Sequence, residues 1–363
     1  MSTLPDAFTT NSSPEGIEGL PATSGSDSWQ RDLSQAIRSS LELLARLNLT
    51  PNTESIGRTL SEIESDFPVL VPESYLQRIR PNDPLDPLLL QVLASSQELV
   101  QVSGFQADAV QDLAARRAPG VLQKYQGRAL LMAAGACAIH CRYCFRREYP
   151  YGAEPKRVDD WKPALDLLRE DSSIHEVILS GGDPLMLNDD RLAWLCEQLD
   201  QIPHLDRLRI HSRMPIVLPS RITPALISLL RGLRMQPMMI VHANHASEIV
   251  DDCLAALRLL VRSGIPTMNQ AVLLRGINDT TAALSSLSTV LVNNGVIPYY
   301  LHQLDRVSGT SHFEVSEETG RRLIRELGAQ LPGYAVPRYV REIPGAPGKT
   351  LLDSESRREA EIP

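Results

Sequence analysis

The first part of the chain has a polar start followed by apolar positions in a helical pattern. Residues 1–28 are rich in Ser, Thr, Gly and Pro, and they predict a disordered tail because they bury too little to offset the entropy of ordering. Residues 29–120 predict a helical region, in which further helices begin near Glu54 and at Leu88, on either side of a Pro-rich connector over residues 81–87. Apolar residues recur at three- and four-residue steps after Trp29, at Leu33, Ile37, Leu41, Leu44 and Leu47.

From about residue 128 the pattern changes to short apolar strands that alternate with amphipathic helices. After the second strand, the strand starts are spaced by roughly thirty residues, the length of a βα unit. The pattern predicts an α/β fold, a partial (βα)6 barrel of the TIM type over residues 121–333, followed by a C-terminal segment over residues 334–363 that begins in extended conformation. The six predicted strands cover residues 129–133, 176–180, 208–211, 239–242, 268–272 and 297–301.

Charge and composition exclude several classes of function. The chain has 36 Lys and Arg against 44 Asp and Glu, a formal net charge of −8, so a sequence-wide basic surface for nucleic acid is absent. No apolar segment reaches the length that spans a bilayer, and no basic stretch with a following apolar run marks a signal peptide. We therefore expect a reduced, cytoplasmic protein without membrane contact. Cys196 and Cys253 lie in apolar helical patterns and are predicted to be buried as small hydrophobic residues.

Cys137, Cys141 and Cys144 form a Cys-x3-Cys-x2-Cys loop directly after the first predicted barrel strand. A [4Fe–4S] cluster is normally held by four Cys, so a loop with three leaves one iron open to a small molecule. Zinc is the alternative, but structural zinc needs four ligands, usually as two spaced pairs, and no second Cys pair follows. The spacing resembles that of the radical S-adenosylmethionine (SAM) enzymes, in which the open iron binds SAM.

The segment Ser180-Gly181-Gly182-Asp183 directly follows the second predicted strand. Its glycines let the backbone approach a ligand without an intervening side chain, and the Asp183 carboxylate can accept hydrogen bonds from an ammonium or a ribose. The alternative is a tight strand-to-helix turn without a ligand. In radical SAM enzymes a Gly-Gly-acidic motif at this place meets the SAM amino group.

Lys349 ends a turn rich in Pro and Gly over residues 344–349. The sequence Gly348-Lys349-Thr350 is not a phosphate-binding P-loop, because that motif needs a Gly where Ile343 stands. Amine nucleophiles form Schiff bases with pyridoxal 5′-phosphate (PLP), and a lysine in such a turn can reach into a cavity. The alternative is an ordinary exposed lysine.

Motifs spread along most of the chain together carry a family resemblance. They are Tyr125–Arg128, the cysteine loop with Arg146 and Arg147, Leu179–Leu185, Arg209–Arg213, Pro215–Arg221, His242–His245, Asn269–Asp279, Pro298–Asp305 and Pro344–Thr350. Over roughly residues 80–352 the chain resembles the lysine 2,3-aminomutase family, and most closely its short bacterial members, which make (R)-β-lysine for modification of elongation factor P. The resemblance implies that this chain has the partial barrel of the radical SAM enzymes.

The resemblance implies a role for each matched residue. The three loop cysteines would hold a [4Fe–4S] cluster, and SAM and PLP would be the other cofactors. Lys349 would be the catalytic lysine that binds PLP, and Arg128 would bind the PLP phosphate, a task that suits a bidentate guanidinium. Arg146 would pair with the substrate α-carboxylate, while Asp305 and Glu342 would hold its ε-ammonium. The remaining cofactor-binding residues would be Ser180, Gly181, Gly182, Asp183 and Gln270.

The sequence departs from the family pattern at three places. Glu342 replaces an aspartate, which keeps the charge and adds one methylene, and His302 stands where classical members carry tyrosine. Only 14 residues follow Lys349, without the cysteine-bearing extension that organises zinc-linked tetramers in longer members. The family's oligomeric state is therefore not carried over to this chain.

The resemblance implies an isomerase that converts L-α-lysine to β-lysine by moving the amino group from C2 to C3. It also implies an electron-donor protein such as flavodoxin or ferredoxin, and a functional link to an elongation factor P lysyl-ligase. The alternatives are an aminomutase for another amino acid such as arginine, a radical SAM enzyme without PLP, and a metal-bearing interaction module. His211, His242 and His245 also permit a metal site, although histidines at strand ends more often line a cofactor pocket.

Overall fold

The computed structural model describes residues 28–50, 60 and 62–352. The predicted disordered tail, except for Ser28, and the start of the helix predicted near Glu54 lie outside the described residues. Ser28 begins the first helix, Ser28–Ser34.

A ten-stranded sheet forms the centre of the fold, with its strands paired in the order of the sequence. The strands are β1 (Arg116–Ala118), β2 (Val121–Tyr125), β3 (Arg128–Ala134), β4 (Glu176–Gly181), β5 (Arg207–Ser212), β6 (Gln236–His242), β7 (Thr267–Val272), β8 (Ile297–His302), β9 (Arg338–Arg341) and β10 (Thr350–Leu351). Strands β3 to β9 run parallel, while β1, β2 and β10 pair antiparallel at the two ends. The six predicted strands correspond to β3 to β8 and are confirmed, as is the α/β partial barrel.

A helix follows each strand from β3 to β8, which makes six βα units. These helices are Lys162–Glu170, Asp189–Asp200, Pro224–Gly232, Asp251–Arg262, Thr281–Val292 and Glu317–Gln330. In the fourth of them, Cys253, Ala256, Leu257 and Leu260 are buried at three- and four-residue steps, the spacing of one helix face. Cys196 is fully buried in the second helix, so both cysteines pack as small hydrophobic residues, as predicted.

The strands alternate between the helical layer and the inside of the curled sheet. In β4, Val177 and Leu179 are fully buried, whereas Ile178 and Ser180 line a central cavity. This two-residue period is expected of a pleated strand. The sheet extends beyond the predicted barrel bounds, because β1 precedes residue 121 and β9 lies in the segment predicted to be extended after residue 334.

The N-terminal region packs on the barrel through short helices. They are Ser28–Ser34, Ser40–Arg46 and Glu73–Leu76, together with residues 62–66. The predicted helix from Trp29 to Leu47 is interrupted, because Ile37 exchanges two backbone hydrogen bonds of 2.9 Å with Val71. The helix predicted from Leu88 is a single 3₁₀ turn, Leu89–Gln91. A short helix, Met214–Val217, lies directly after β5.

Candidate active site

A cavity of about 310 Å³ lies inside the curl of the sheet. Side chains from β2 to β8, the cysteine loop and the segment after β9 line it. The structure therefore brings every residue that the sequence singled out for the site into one space. These residues are Arg128, Cys137, Cys141, Cys144, Arg146, Ser180, Gly181, Gly182, Asp183, Gln270, Asp305, Glu342 and Lys349.

The cysteine loop, residues 137–144, leaves β3 and forms one wall of the cavity. Two backbone amides anchor it to the N-terminal region: His140 donates to the Leu70 carbonyl at 3.1 Å, and Arg142 donates to the Gln91 carbonyl at 2.9 Å. Burial and the neighbouring Cys144 raise the pKa of Cys137, and burial with Cys141 raises the pKa of Cys144 to about 11. Metal binding at these thiols therefore requires the release of protons.

The donor set of this loop fits an iron–sulfur cluster. Thiolates are soft ligands, and iron–sulfur clusters are held by them. Across residues 28–50, 60 and 62–352, no three His, Cys, Asp or Glu side chains converge as a mononuclear metal site requires. Three separate thiols along one cavity wall suit a cluster, in which each cysteine binds its own iron.

Two glycines allow the cysteine loop to pack against the end of β4. A Cβ at Gly181 would overlap the carbonyl oxygen of Ala134, and a Cβ at Gly182 would overlap that of Ala136. Gly181 also has a φ of 122°, which favours glycine. The glycines therefore make room for the backbone that leads into Cys137, in addition to lining the cavity.

The Asp183 carboxylate is buried and is held by donors of the protein itself. Its Oδ1 accepts hydrogen bonds from the Ser212 hydroxyl at 2.8 Å and the Leu185 amide at 3.0 Å. Its Oδ2 accepts one from the Arg213 amide at 2.8 Å. Burial raises the pKa of Asp183 despite these bonds. Asp183 thus links the end of β4 to the end of β5 and fixes the polar edge of the cavity.

A buried ion-pair cluster holds the cysteine loop from the other side. Glu98 accepts hydrogen bonds from Arg142 Nε at 2.9 Å and from Arg147 Nη2 at 2.8 Å. Both guanidinium groups also lie 4.8 Å from the centre of the Phe67 ring. The sequence did not reveal this cluster, because Glu98 and Phe67 come from a region that carried no chemical motif.

Arg146 is buried within a second charged cluster at the mouth of the cavity. Its Nε donates to Asp112 Oδ2 at 2.6 Å, and its Nη1 donates to the Ser180 hydroxyl at 3.1 Å. Lys124 Nζ lies 2.7 Å from the other Asp112 oxygen. Burial alone would raise the pKa of Asp112, but Arg146 and Lys124 hold it below its usual value. Asp112 and Lys124 were missed from the sequence, since neither lies in a recognisable motif.

Lys349 also lines the cavity and meets Glu342. Its Nζ lies 2.7 Å from Glu342 Oε2, and the Tyr125 hydroxyl donates to Glu342 Oε1 at 2.6 Å. Burial would raise the pKa of Glu342, but Lys349 lowers it. Asp305 is more strongly affected: burial raises its pKa to about 6, although Lys349 opposes the shift. The two carboxylates and the lysine amine therefore form one coupled group.

Several polar atoms of the cavity wall have no hydrogen-bond partner among the described residues. They include Arg209 Nε, His211 Nε2 and Arg213 Nε, all of them buried. Burial, with the nearby positive charge of Arg209, lowers the pKa of His211, and burial with Lys349 lowers that of His302. These histidines are therefore neutral at physiological pH. Unpartnered donors around a largely apolar cavity fit a ligand with several acceptor groups, as both SAM and PLP are.

Comparison with known proteins identifies the family. The sequence matches the Radical SAM superfamily over residues 133–284. L-lysine 2,3-aminomutase of Escherichia coli (strain K12) is 42% identical over 338 residues, which cover 93% of this chain and 98% of that protein. The chain belongs to the lysine 2,3-aminomutase family. Its other relatives include the L-lysine 2,3-aminomutases of Haemophilus influenzae, 42% identical over 91% of this chain and 97% of that protein, and of Clostridium subterminale, 33% identical over 90% and 78%.

Family membership agrees with the shared cavity, because lysine 2,3-aminomutases use a [4Fe–4S] cluster, SAM and PLP together. The cysteine loop lies within the matched radical SAM region, whereas Lys349 lies beyond it. None of the helices in the described part of the chain combines the length and the apolar character needed to cross a bilayer.

Proposed function

We propose that this protein is a radical SAM, PLP-dependent lysine 2,3-aminomutase that converts L-α-lysine to β-lysine. The observation that carries the proposal is that one cavity is lined both by the three-cysteine loop and by Lys349, Asp305 and Glu342. When bound, the cluster and SAM supply a 5′-deoxyadenosyl radical, and PLP supplies the conjugated system across which an amino group moves.

The cofactors are assigned to residues of this cavity. Cys137, Cys141 and Cys144 hold the cluster. The end of β4, residues 180–183, binds SAM together with Gln270, whose side chain faces the cavity from β7. Lys349 binds PLP through its amine, and Arg128 binds the PLP phosphate. The Arg128 guanidinium lies 4.5 Å from the centre of the Tyr125 ring, and it forms no ion pair with a described residue, which leaves it free to bind a phosphate.

The acidic group around Glu342 is suited to the ε-ammonium of lysine. The Lys349 amine already lies 2.7 Å from Glu342, so the group accepts an alkylammonium of the same chemistry. With PLP bound at Lys349, this amine would no longer pair with Glu342 as a free ammonium, and the carboxylate would be available to the substrate ammonium. Asp305 supplies a second carboxylate, and the Tyr125 hydroxyl keeps Glu342 in position.

Arg146 is suited to the α-carboxylate, which lies at the other end of the lysine substrate. Asp112 fixes its Nε and Ser180 its Nη1, while its Nη2 makes no hydrogen bond with the described residues. A guanidinium held on one edge presents its other edge in a defined direction, which favours a bidentate contact. The two charged ends together hold the reacting carbons in one orientation, and burial of the cavity wall excludes water.

We extend the proposal to the more specific features that the family resemblance implies. The product is (R)-β-lysine for modification of elongation factor P, which links the protein functionally to an elongation factor P lysyl-ligase. A flavodoxin or ferredoxin supplies the electron, and the protein works in the cytoplasm. The match over 98% of the Escherichia coli relative supports this short form of the enzyme.

The test is an anaerobic assay of the purified protein with a reconstituted cluster, PLP, SAM, dithionite and lysine. We expect β-lysine, identified by chromatography against standards of both enantiomers. Asp305→Asn is the control for the substrate pocket and should raise the KM for lysine while cluster content stays unchanged. No β-lysine from protein that contains both cofactors would refute the proposal. Faster conversion of arginine than of lysine would favour the alternative substrate.

A further inference from the structure

We propose that Arg213 sets the reduction potential of the cluster through a hydrogen bond to the sulfur of Cys141. Arg213 lies directly after β5, and its Nη1 donates to Cys141 Sγ at 2.7 Å. Within the described residues, Cys141 is the one loop cysteine whose sulfur accepts a side-chain hydrogen bond. The contact therefore distinguishes one of the three cluster ligands from the other two.

The guanidinium of Arg213 is fixed in this position by partners on its other side. Its Nη2 donates to Gln91 Oε1 at 2.7 Å and to Glu248 Oε2 at 2.8 Å. The rings of Tyr75 and Tyr143 flank it, each with its centre 5.7 Å from Cζ. Arg213 is 7% exposed, so solvent screens its charge little. A side chain held this firmly keeps its hydrogen bond to sulfur when the cluster changes charge.

Glu248 is the anchor of this arrangement and is itself fully buried. Its Oε1 accepts hydrogen bonds from the backbone amides of Asn244 at 2.8 Å and His245 at 2.9 Å. These bonds come from the loop after β6, so Arg213 connects that loop to the cysteine loop. The arrangement uses Glu248 to position Arg213 and leaves one guanidinium edge for Cys141.

The direction of the effect follows from electrostatics. Reduction adds one negative charge to the cluster and its thiolates, and hydrogen bonds to the sulfurs are among the factors that set the potential. A buried cation that donates to a thiolate stabilises the reduced state more than the oxidised state. Arg213 therefore raises the potential, which eases reduction of the cluster by an electron donor and lowers the driving force for its later electron transfer to SAM. The inference rests on the proposed function, because it requires a cluster at the three cysteines.

The test measures the midpoint potential of the reconstituted cluster by redox titration followed by electron paramagnetic resonance, without SAM or substrate. We expect Arg213→Gln to lower the potential by roughly 59 mV, equivalent to a tenfold change in the equilibrium constant of a one-electron couple. Arg213→Lys should lie closer to the wild-type value, since it keeps the positive charge. Arg221→Gln is the matched control, because Arg221 is likewise a buried arginine with a carboxylate partner, Asp189, but it bonds to the Leu185 and Leu187 carbonyls and not to a cysteine.

A second variant guards against failure of Arg213→Gln to fold, since that change leaves Glu248 buried without its partner. In Arg213→Gln/Glu248→Gln both charges are removed, and a glutamine carbonyl can still accept from Asn244 and His245. We expect a smaller decrease in potential than in the single variant.

A wild-type potential in both variants, or a decrease equal to that of Arg221→Gln, would refute the role of Arg213. If neither variant nor Arg213→Lys takes up a cluster while Arg221→Gln does, Arg213 serves assembly and the inference is also wrong. A wild-type protein without a cluster would instead refute the proposed function.

Discussion

The two walls of the cavity are built in different ways. The cysteine wall comes from one short loop, packed against glycines and locked by buried ion pairs at Glu98 and Glu248. The lysine wall, which carries Lys349, combines β2, the segment after β8 and the chain after β9, which approach one another only in the folded barrel. Its charged side chains remain partly accessible, with Lys349 27% and Lys124 20% exposed.

This difference indicates how each wall meets its ligand. On the cysteine wall the charged side chains that hold the loop are paired within the protein, so the loop is organised before the cluster arrives. On the lysine wall the charged groups neutralise one another, as Lys349 and Lys124 do with Glu342 at 2.7 and 3.8 Å. Partners of this kind exchange when a ligand enters. The cysteine wall is therefore a fixed scaffold, and the lysine wall is a set of exchangeable ion pairs.

Loss of Lys349 should separate the two walls most clearly. In Lys349→Ala we expect lysine isomerisation to fall by about 10³-fold or more, because the amine that binds PLP is gone. Reductive cleavage of SAM, measured as 5′-deoxyadenosine, should survive because the cysteine wall is untouched. Cys141→Ala is the matched variant on the other wall and should abolish both reactions. Equal loss of both reactions in Lys349→Ala would contradict the separation.

Much of this division could be predicted from the sequence. Strands β3 to β8 were found because each is a compact apolar run between amphipathic helices. Short motifs with recognisable chemistry revealed the cysteines, the Ser180–Asp183 segment and Lys349. Asp112, Glu98 and the contact of Arg213 with Cys141 were missed, since each depends on residues distant in the sequence that meet only in the fold. The break at Ile37 was missed for the same reason: its partner, Val71, lies outside the helical pattern.

The fixed character of the cysteine wall can be tested at Gly182. A methyl group in Gly182→Ala would overlap the Ala136 carbonyl, and backbone cannot move away as a flexible side chain can. We expect a loss of stability of about 1–3 kcal/mol, typical of overpacking, and a reduced iron content after reconstitution. Gly152→Ala is the control, because a Cβ there meets nothing within 4 Å. Unchanged iron content and thermal stability in Gly182→Ala would show that the loop is not held in this way.

The exchangeable character of the lysine wall predicts a pH dependence of substrate binding. Burial raises the pKa of Asp305 to about 6, so its carboxylate is mostly protonated at pH 5 and ionised at pH 7. The ionised form attracts the ε-ammonium of lysine, which keeps its charge over this range. Affinity for lysine should therefore rise about tenfold or more from pH 5 to pH 7, because PLP at Lys349 would remove the charge that holds this pKa down. Calorimetric titration at constant PLP saturation measures it, and Asp305→Asn should remove most of the rise. An equal rise in that variant would assign the titration to another group.

The smallest expected effect concerns Glu342, where the family resemblance implies an aspartate. Glu342 reaches both the Tyr125 hydroxyl and the Lys349 amine, and Glu342→Asp shortens that reach by one methylene while it keeps the charge. We expect the KM for lysine to rise less than about tenfold with little change in kcat, because the ammonium contact is the same in ground and transition states. Tyr125→Phe removes the donor that fixes Glu342 and should give a shift of the same kind. A fall in kcat at constant KM in both variants would mean that Glu342 acts on the reacting carbons, and the lysine wall would then be as rigidly specified as the cysteine wall.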